Sequence, residues 1–135
     1  MSGPIVKRYQ GQVAMDAGNI PGITELMSVR MSFETDEQGA IKLRFPFRAK
    51  ITGLRSQVVK ALSGTDAGTV TPANSVGNMA NGTISHAASA ALGNEIVATP
   101  TTNQIIAKDT DLVLTSAKTT VVGKVNVTVQ YVRIA

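Results

Sequence analysis

Residues 41–52 read Ile-Lys-Leu-Arg-Phe-Pro-Phe-Arg-Ala-Lys-Ile-Thr, and their alternation decides the fold. Successive side chains of a strand point to opposite faces. One face carries Ile41, Leu43, Phe45, Phe47, Ala49 and Ile51; the other carries Lys42, Arg44, Pro46, Arg48 and Lys50. The first face is a core layer holding two of the three phenylalanines. The second is an outward cationic stripe, with no acid between Lys42 and Lys60. The pattern predicts a half-buried strand that shows a basic face to a partner, which is a binding surface and not a reaction centre. Pro46 cannot donate a ladder hydrogen bond, so the strand lies at a sheet edge or bends at a bulge.

The flanking segments follow the same rule. Upstream, Met27, Val29, Met31 and Phe33 alternate with Leu26, Ser28, Arg30 and Ser32, predicting a strand over Glu25–Glu34 with the first set inward. Thr35–Gly39 is a polar turn, predicting a β-hairpin between that strand and the basic one. Downstream, Gly53–Leu62 alternates more loosely, Ser63–Thr69 is a turn-rich loop, and Thr69–Pro72 is a short strand. Asn81-Gly82 is a tight-turn dipeptide. Ser85–Leu92 followed by Gly93 fits a short helix with a C-terminal glycine, and equally a strand and loop.

Glu95–Ala98, Gln104–Ala107, Asp111–Thr115 and Lys124–Ile134 are further strands. The last is the clearest, with Val125, Val127, Val129 and Tyr131 on its inner face. Short strands separated by regular turn signals predict an all-β antiparallel sandwich, and no helical period supports a parallel α/β sheet. Residues 1–23 are rich in Gly and Pro, and read as an extended N-terminal arm with a short strand at Val6–Val13. The expected organisation is an arm over 1–23 and one sandwich domain over 24–135.

Composition limits the function classes. Aromatic residues make up 4% of the chain and Trp is absent, so the core is built from Val, Ile, Leu and Ala. Charged residues are 16%, below the usual quarter, which fits a protein that hides surface in an assembly. No cysteine is present, which excludes disulfides, thiolate chemistry and zinc fingers. The formal net charge is +4, and nine of the 13 cations lie in residues 1–67. An acidic partner is therefore expected at the N-terminal half, with Lys7 and Arg8 adding to the stripe. No apolar run approaches the ~20 residues that span a bilayer, and no signal-peptide core is visible, so no membrane role is expected.

Motifs for chemistry are sparse. His86 is the single imidazole, and no Gly-x-Ser-x-Gly surrounds any serine, so it reads as a surface or interface histidine and not a catalytic base. Asp109 with Asp111, and Glu34 with Asp36, are i, i+2 acid pairs without a supporting oxygen-ligand loop, so no metal is expected. Gly64–Thr69 lacks the Gly-Lys-Ser/Thr ending of a phosphate loop. No catalytic residue and no cofactor site is assigned, and the protein is not expected to be an enzyme. The inner placement of Phe45 and Phe47 leaves no aromatics beside the cations to stack bases, which argues against nucleic acid.

Several stretches carry a resemblance. Phe47–Leu54, Val59–Leu62, Gly64–Thr71, Ala91–Glu95, Pro100–Asn103 and Thr119–Val125 resemble segments of small structural proteins of tailed bacteriophages. The similarity is one of texture and spacing over about residues 41–135, and the nearest class is the capsid decoration, or cement, proteins. The resemblance implies a jelly-roll-like sandwich on the outer surface of an icosahedral capsid in the virion. It also implies bridging of neighbouring major capsid protein subunits, and a homo-oligomer, a dimer before a trimer. The class has no shared functional motif, so the docking residues rest on the basic stripe: Lys42, Arg44, Arg48, Lys50, Lys7 and Arg8. The alternative from another class is a fibre or tail module that adheres to a host glycan or receptor.

Overall fold

The computed structural model of the protein describes residues 23–134. The expected arm, its strand at Val6–Val13, Lys7 and Arg8 lie outside the described residues, apart from Ile23. Among the described residues nine strands and no helix are found. They are β1 (Thr24–Ser32), β2 (Ala40–Phe45), β3 (Ala49–Lys60), β4 (Gly68–Ala73), β5 (Ile84–His86), β6 (Glu95–Ala98), β7 (Ile105–Ile106), β8 (Thr110–Ala117) and β9 (Lys124–Arg133).

Two antiparallel sheets form a sandwich. The larger has the order β1-β9-β3-β6, with β7 pairing the start of β3; the smaller has the order β2-β8-β4-β5. Leaving out the two-residue β7, the first four strands alternate between the sheets, β5 pairs β4 in the smaller one, β6 returns to the larger one, and the last two insert beside the first two. This is the jelly-roll arrangement of an all-β double sheet. The expected fold class therefore holds.

The core forms where the alternation placed it. Met31, Phe33, Phe45, Ile51, Leu54, Val58, Leu112, Leu114, Val125, Val127, Val129 and Tyr131 are all buried. On β9, the inward set of Val125, Val127, Val129 and Tyr131 stands as expected between β1 and β3.

Three local expectations need correction. The stretch 41–52 is not one strand. The chain leaves the smaller sheet after Phe45, turns through Pro46, Phe47 and Arg48, and joins the larger sheet at Ala49. The missing amide of Pro46 ends the β2 ladder at a sheet edge, and the in-out phase survives the corner because Phe47 also packs against the core. Second, β1 and β2 do not form a hairpin. β1 pairs β9 and β2 pairs β8, so the turn with Asp36 and Gly39 at positive φ carries the chain across the sandwich. The Gln38 amide fixes that crossing, donating to Phe33 O at 3.3 Å and Lys118 O at 3.0 Å. Third, of the two readings of Ser85–Leu92, the strand and loop is correct. Ile84 and His86 are drawn inward beside β4, and tertiary burial overrides the helical propensity of the alanines.

Candidate functional site

The corner at Pro46–Arg48 divides the cationic stripe between the two outer faces of the sandwich. Lys42 and Arg44 project from β2 on the smaller sheet, and Lys50 projects from β3 on the larger one. Arg48 is exposed at the end between them, where its carbonyl accepts from the Ile134 amide at 2.9 Å. Arg44 also faces Asp111 across the β2–β8 ladder, with Nε 2.8 Å from Oδ1. The sequence hid this acid because it lies 67 residues away.

The larger sheet offers more binding surface. Its outer face adds Arg30 from β1 and Arg55 from β3 to Lys50. Leu26 and Val97 stand out from it at 65% and 57% exposure. Between them lies a groove of about 440 Å³, floored at the Gly53 bulge and edged by Thr52, Arg55, Thr99, Thr128 and Gln130. A Cβ at Gly53 would meet the Gln130 side chain in ordinary contact, at 3.6 Å from its oxygen, so the site tolerates a small side chain. The outward phase of Leu26 was legible in the sequence. The groove was not, because β1, β9, β3 and β6 come together only through the crossovers.

The described aromatics do not serve as an exposed stacking platform. Phe33 and Phe45 are fully buried, and Tyr131 packs edge-on against Phe45 at 5.2 Å. Phe47 is covered by the Arg133 guanidinium, 3.5 Å from its centroid. Glu25 completes this corner, accepting from the Tyr131 hydroxyl at 3.4 Å and facing Arg133 at 4.0 Å. Burial first, and Glu25 second, hold the Tyr131 phenol above its ordinary range.

His86 is not at the surface as expected. It is fully buried between the sheets, with Nε2 2.8 Å from Ser56 Oγ and Nδ1 2.8 Å from Asn94 Oδ1. An amide oxygen only accepts, so Nδ1 carries the proton and Nε2 accepts from the serine. Both ring nitrogens are satisfied, which is why an imidazole is tolerated there. The order Ser-His-Asn is that of a nucleophile relay, but Ser56 and His86 have no exposed surface on which a substrate carbonyl could be attacked. The trio joins β3 to β5 and to the loop before β6.

The remaining acids act as fasteners. The Asp66 carboxylate accepts from the Thr119 and Thr120 amides and from Lys118 Nζ, whose side chain is fully buried. The Thr120 amide above all holds this carboxyl far below the usual range. Glu34 is also lowered, first by Lys60 Nζ at 2.7 Å and then by the Gly123 amide. Asp109 sits in a turn at positive φ, and Asp111 is engaged by Arg44. Among the described residues no group of three or more metal-ligating side chains converges, and no helix is long and apolar enough to cross a membrane.

No protein-family model matches the chain, and no curated protein matches it. Solved structures do. A chain of the cyanophage Pam1 capsid asymmetric unit is 17% identical, with 84% of this chain and 87% of that one covered and a TM-score of 0.54. A chain of the infectious bursal disease virus Gx strain covers 84% of this chain and 33% of its own at 8% identity, with a TM-score of 0.35. A desmodium yellow mottle tymovirus chain covers 87% and 90% at 14% identity, with a TM-score of 0.31. The last two scores carry no weight. The first shows a shared fold along nearly the whole of both chains.

Proposed function

We propose that the protein is a structural component of a virion that binds the outer surface of an icosahedral phage capsid and stabilises it by bridging major capsid protein subunits. One observation carries this reading: a chain of a phage capsid asymmetric unit shares the jelly roll over 84% of this chain and 87% of its own. The matched chain is thus itself a small, nearly whole counterpart. Fold alone does not assign a role. The surface supports the same reading, because its features serve contact: a groove walled by Leu26 and Val97, and outward cations on both faces. Such contacts, weak singly, become sufficient on a lattice when copies of the protein act together. A homo-oligomer, dimer before trimer, would supply that multiplicity. The protein is not an enzyme on this reading.

Docking belongs to one of the two cationic faces. Electrostatic complementarity would orient the approach, and the apolar walls of the groove would hold the contact. The larger sheet is the stronger choice, since Arg55 lines its groove with only a loose contact to Glu95 at 3.9 Å and Lys50 and Arg30 share its outer face, while Arg44 on the smaller sheet is held by Asp111 at 2.8 Å. Co-sedimentation with empty shells tests this. Lys50→Glu with Arg55→Glu is expected to abolish binding, and Lys42→Glu with Arg44→Glu to weaken it only slightly. Binding unchanged in both double variants, and in one that also reverses Arg48, Lys7 and Arg8, would remove the cationic surface from the account.

Adhesion to a host glycan is the less supported role. Glycan sites present aromatic faces, and the described phenylalanines and Tyr131 are engaged in the core or under Arg133.

A further inference from the structure

The outer face of the larger sheet carries an uneven charge balance. Its outward side chains include Arg30 on β1, Lys50, Arg55 and Lys60 on β3, and Lys124 on β9, against one acid, Glu95 on β6. Lys60 and Lys124, at one end of the sheet, are answered from the β1–β2 turn, by Glu34 at 2.7 Å and Glu37 at 3.7 Å. Among the described residues no acid pairs Arg30 or Lys50. Arg55 has only Glu95, at 3.9 Å, and both side chains are roughly half exposed. An exposed pair at that distance contributes little, so positive charge is left over beside the groove.

Strand register sets these groups in a line. Val132, Gln130 and Thr128 on the outer face of β9 lie opposite Lys50, Gly53 and Arg55 of β3. Lys50 and Arg55 are thus four β9 residues apart, roughly 14 Å. The groove floor lies between them, low because the Gly53 bulge has no side chain and Thr52 and Thr128 are short. Apolar walls stand on the outer strands: Leu26 on β1, opposite Gln130, and Val97 on β6, opposite Arg55. Three strand spacings, roughly 14 Å, separate the walls. The result is a trough that follows the strands, with a polar floor, apolar sides and a cation towards each end.

We infer that this trough receives an extended acidic segment of the capsid subunit, with carboxylates at positions i and i+4 and an apolar side chain at i+2. This recognition rests on the larger sheet being the docking face, as proposed above, and specifies the chemistry that face selects. Positions i, i+2 and i+4 of an extended chain share one face, and four residues span the distance from Lys50 to Arg55. The two carboxylates would meet those cations, and the middle side chain would lie over Gly53 beside Leu26. Arg30, on the strand row after that of Arg55, adds to the positive field at that end. A wholly apolar segment fits poorly, because it would strip water from Thr52, Thr128 and Gln130 without replacing its hydrogen bonds. Glu95 is the internal stand-in for the second acid. Its loose contact with Arg55 gives way to a carboxylate that accepts from the guanidinium at two points.

Amide NMR titration of the full-length protein with two acetylated, amidated pentapeptides tests this. Asp-Thr-Leu-Thr-Asp is expected to shift the Gly53, Arg55 and Thr128 amides, and to bind at least about fivefold more tightly than Asn-Thr-Leu-Thr-Asn. Lys50→Gln with Arg55→Gln is expected to bring the two peptides level, and Glu95→Gln to widen their ratio. All three side chains are exposed, so the variants keep the native fold. Equal affinities in the native protein, or no shift at the trough with either peptide at millimolar concentration, would overturn the acidic site. A ratio that stays the same or narrows in Glu95→Gln would overturn the displacement of Glu95. Empty shells separate this site from the capsid role. Shells bound equally by the native protein and by Lys50→Gln, Arg55→Gln would overturn the acidic contact and leave the capsid role standing. A protein that takes the acidic peptide in the trough but ignores the shells would support the site and overturn the capsid role.

Discussion

The β5/β6 flank is closed by a polar bridge whose Ser56 and His86 are fully buried, whereas the β1/β2 flank is bordered by apolar groups at half burial. At the first, His86 bridges Ser56 and Asn94 with two 2.8 Å hydrogen bonds. At the second, Met27, Val29, Ile41 and Leu43 lean on the core without being sealed into it. A polar bridge between sheets is directional and fixes how they stack. An apolar border has no such directionality. The difference teaches that one side of this jelly roll is fixed by directional hydrogen bonds and the other rests on apolar packing.

The sharpest way to break the comparison is His86→Ala. It removes both hydrogen bonds, leaves the Ser56 hydroxyl buried without its partner and opens a cavity. A loss of roughly 3 kcal/mol is expected from an unsatisfied buried group plus the void. A denaturant midpoint within error of the native value would mean that the bridge contributes nothing net. Next come two valines that face each other. Val127→Ala is expected to cost about 2 kcal/mol, and Val29→Ala less than half of that, because only the first is fully buried. Equal losses by chemical unfolding would mean that the β1 flank is as closed as the other.

Acid separates the fasteners from the apolar border. The carboxyl of Asp66 is depressed in the folded state, so its stabilisation is complete above the ordinary carboxylate range, near ~4, and is lost as pH falls toward the folded value. Asp66→Asn is therefore expected to unfold less steeply on acidification than the native chain, and to be the less stable of the two at pH 7. Thermal scans from pH 7 to pH 2 check both signs. The smallest effect belongs to the exposed pair Arg44–Asp111. Arg44→Ala is expected to change stability by under about 0.5 kcal/mol, and high salt to erase the change.

The sequence revealed faces better than it revealed partners. The inward sets on β9 and β1 were legible because period-2 alternation records which side of a strand meets the core. It does not record which sheet the strand joins. Hence 41–52 read as one strand, although the chain changes sheets at Pro46–Arg48 while Phe47 keeps the phase. The β1–β2 hairpin failed for a related reason. The turn residues Asp36 and Gly39 were recognisable, but a turn says nothing of where the next strand pairs. The setting of His86 was invisible, since its partners stand 30 and eight residues away and neither spacing carries a local signal. The cations were all in view, and the folding that divides them between two faces was not.

The most direct test of the proposed function is light scattering of the purified native protein mixed with empty capsid shells of its own virus. The account expects saturable binding, with a fixed number of copies per shell and shells that withstand heating better than bare ones. A protein that leaves the mass and heat resistance of the shells unchanged at saturating concentration would contradict it.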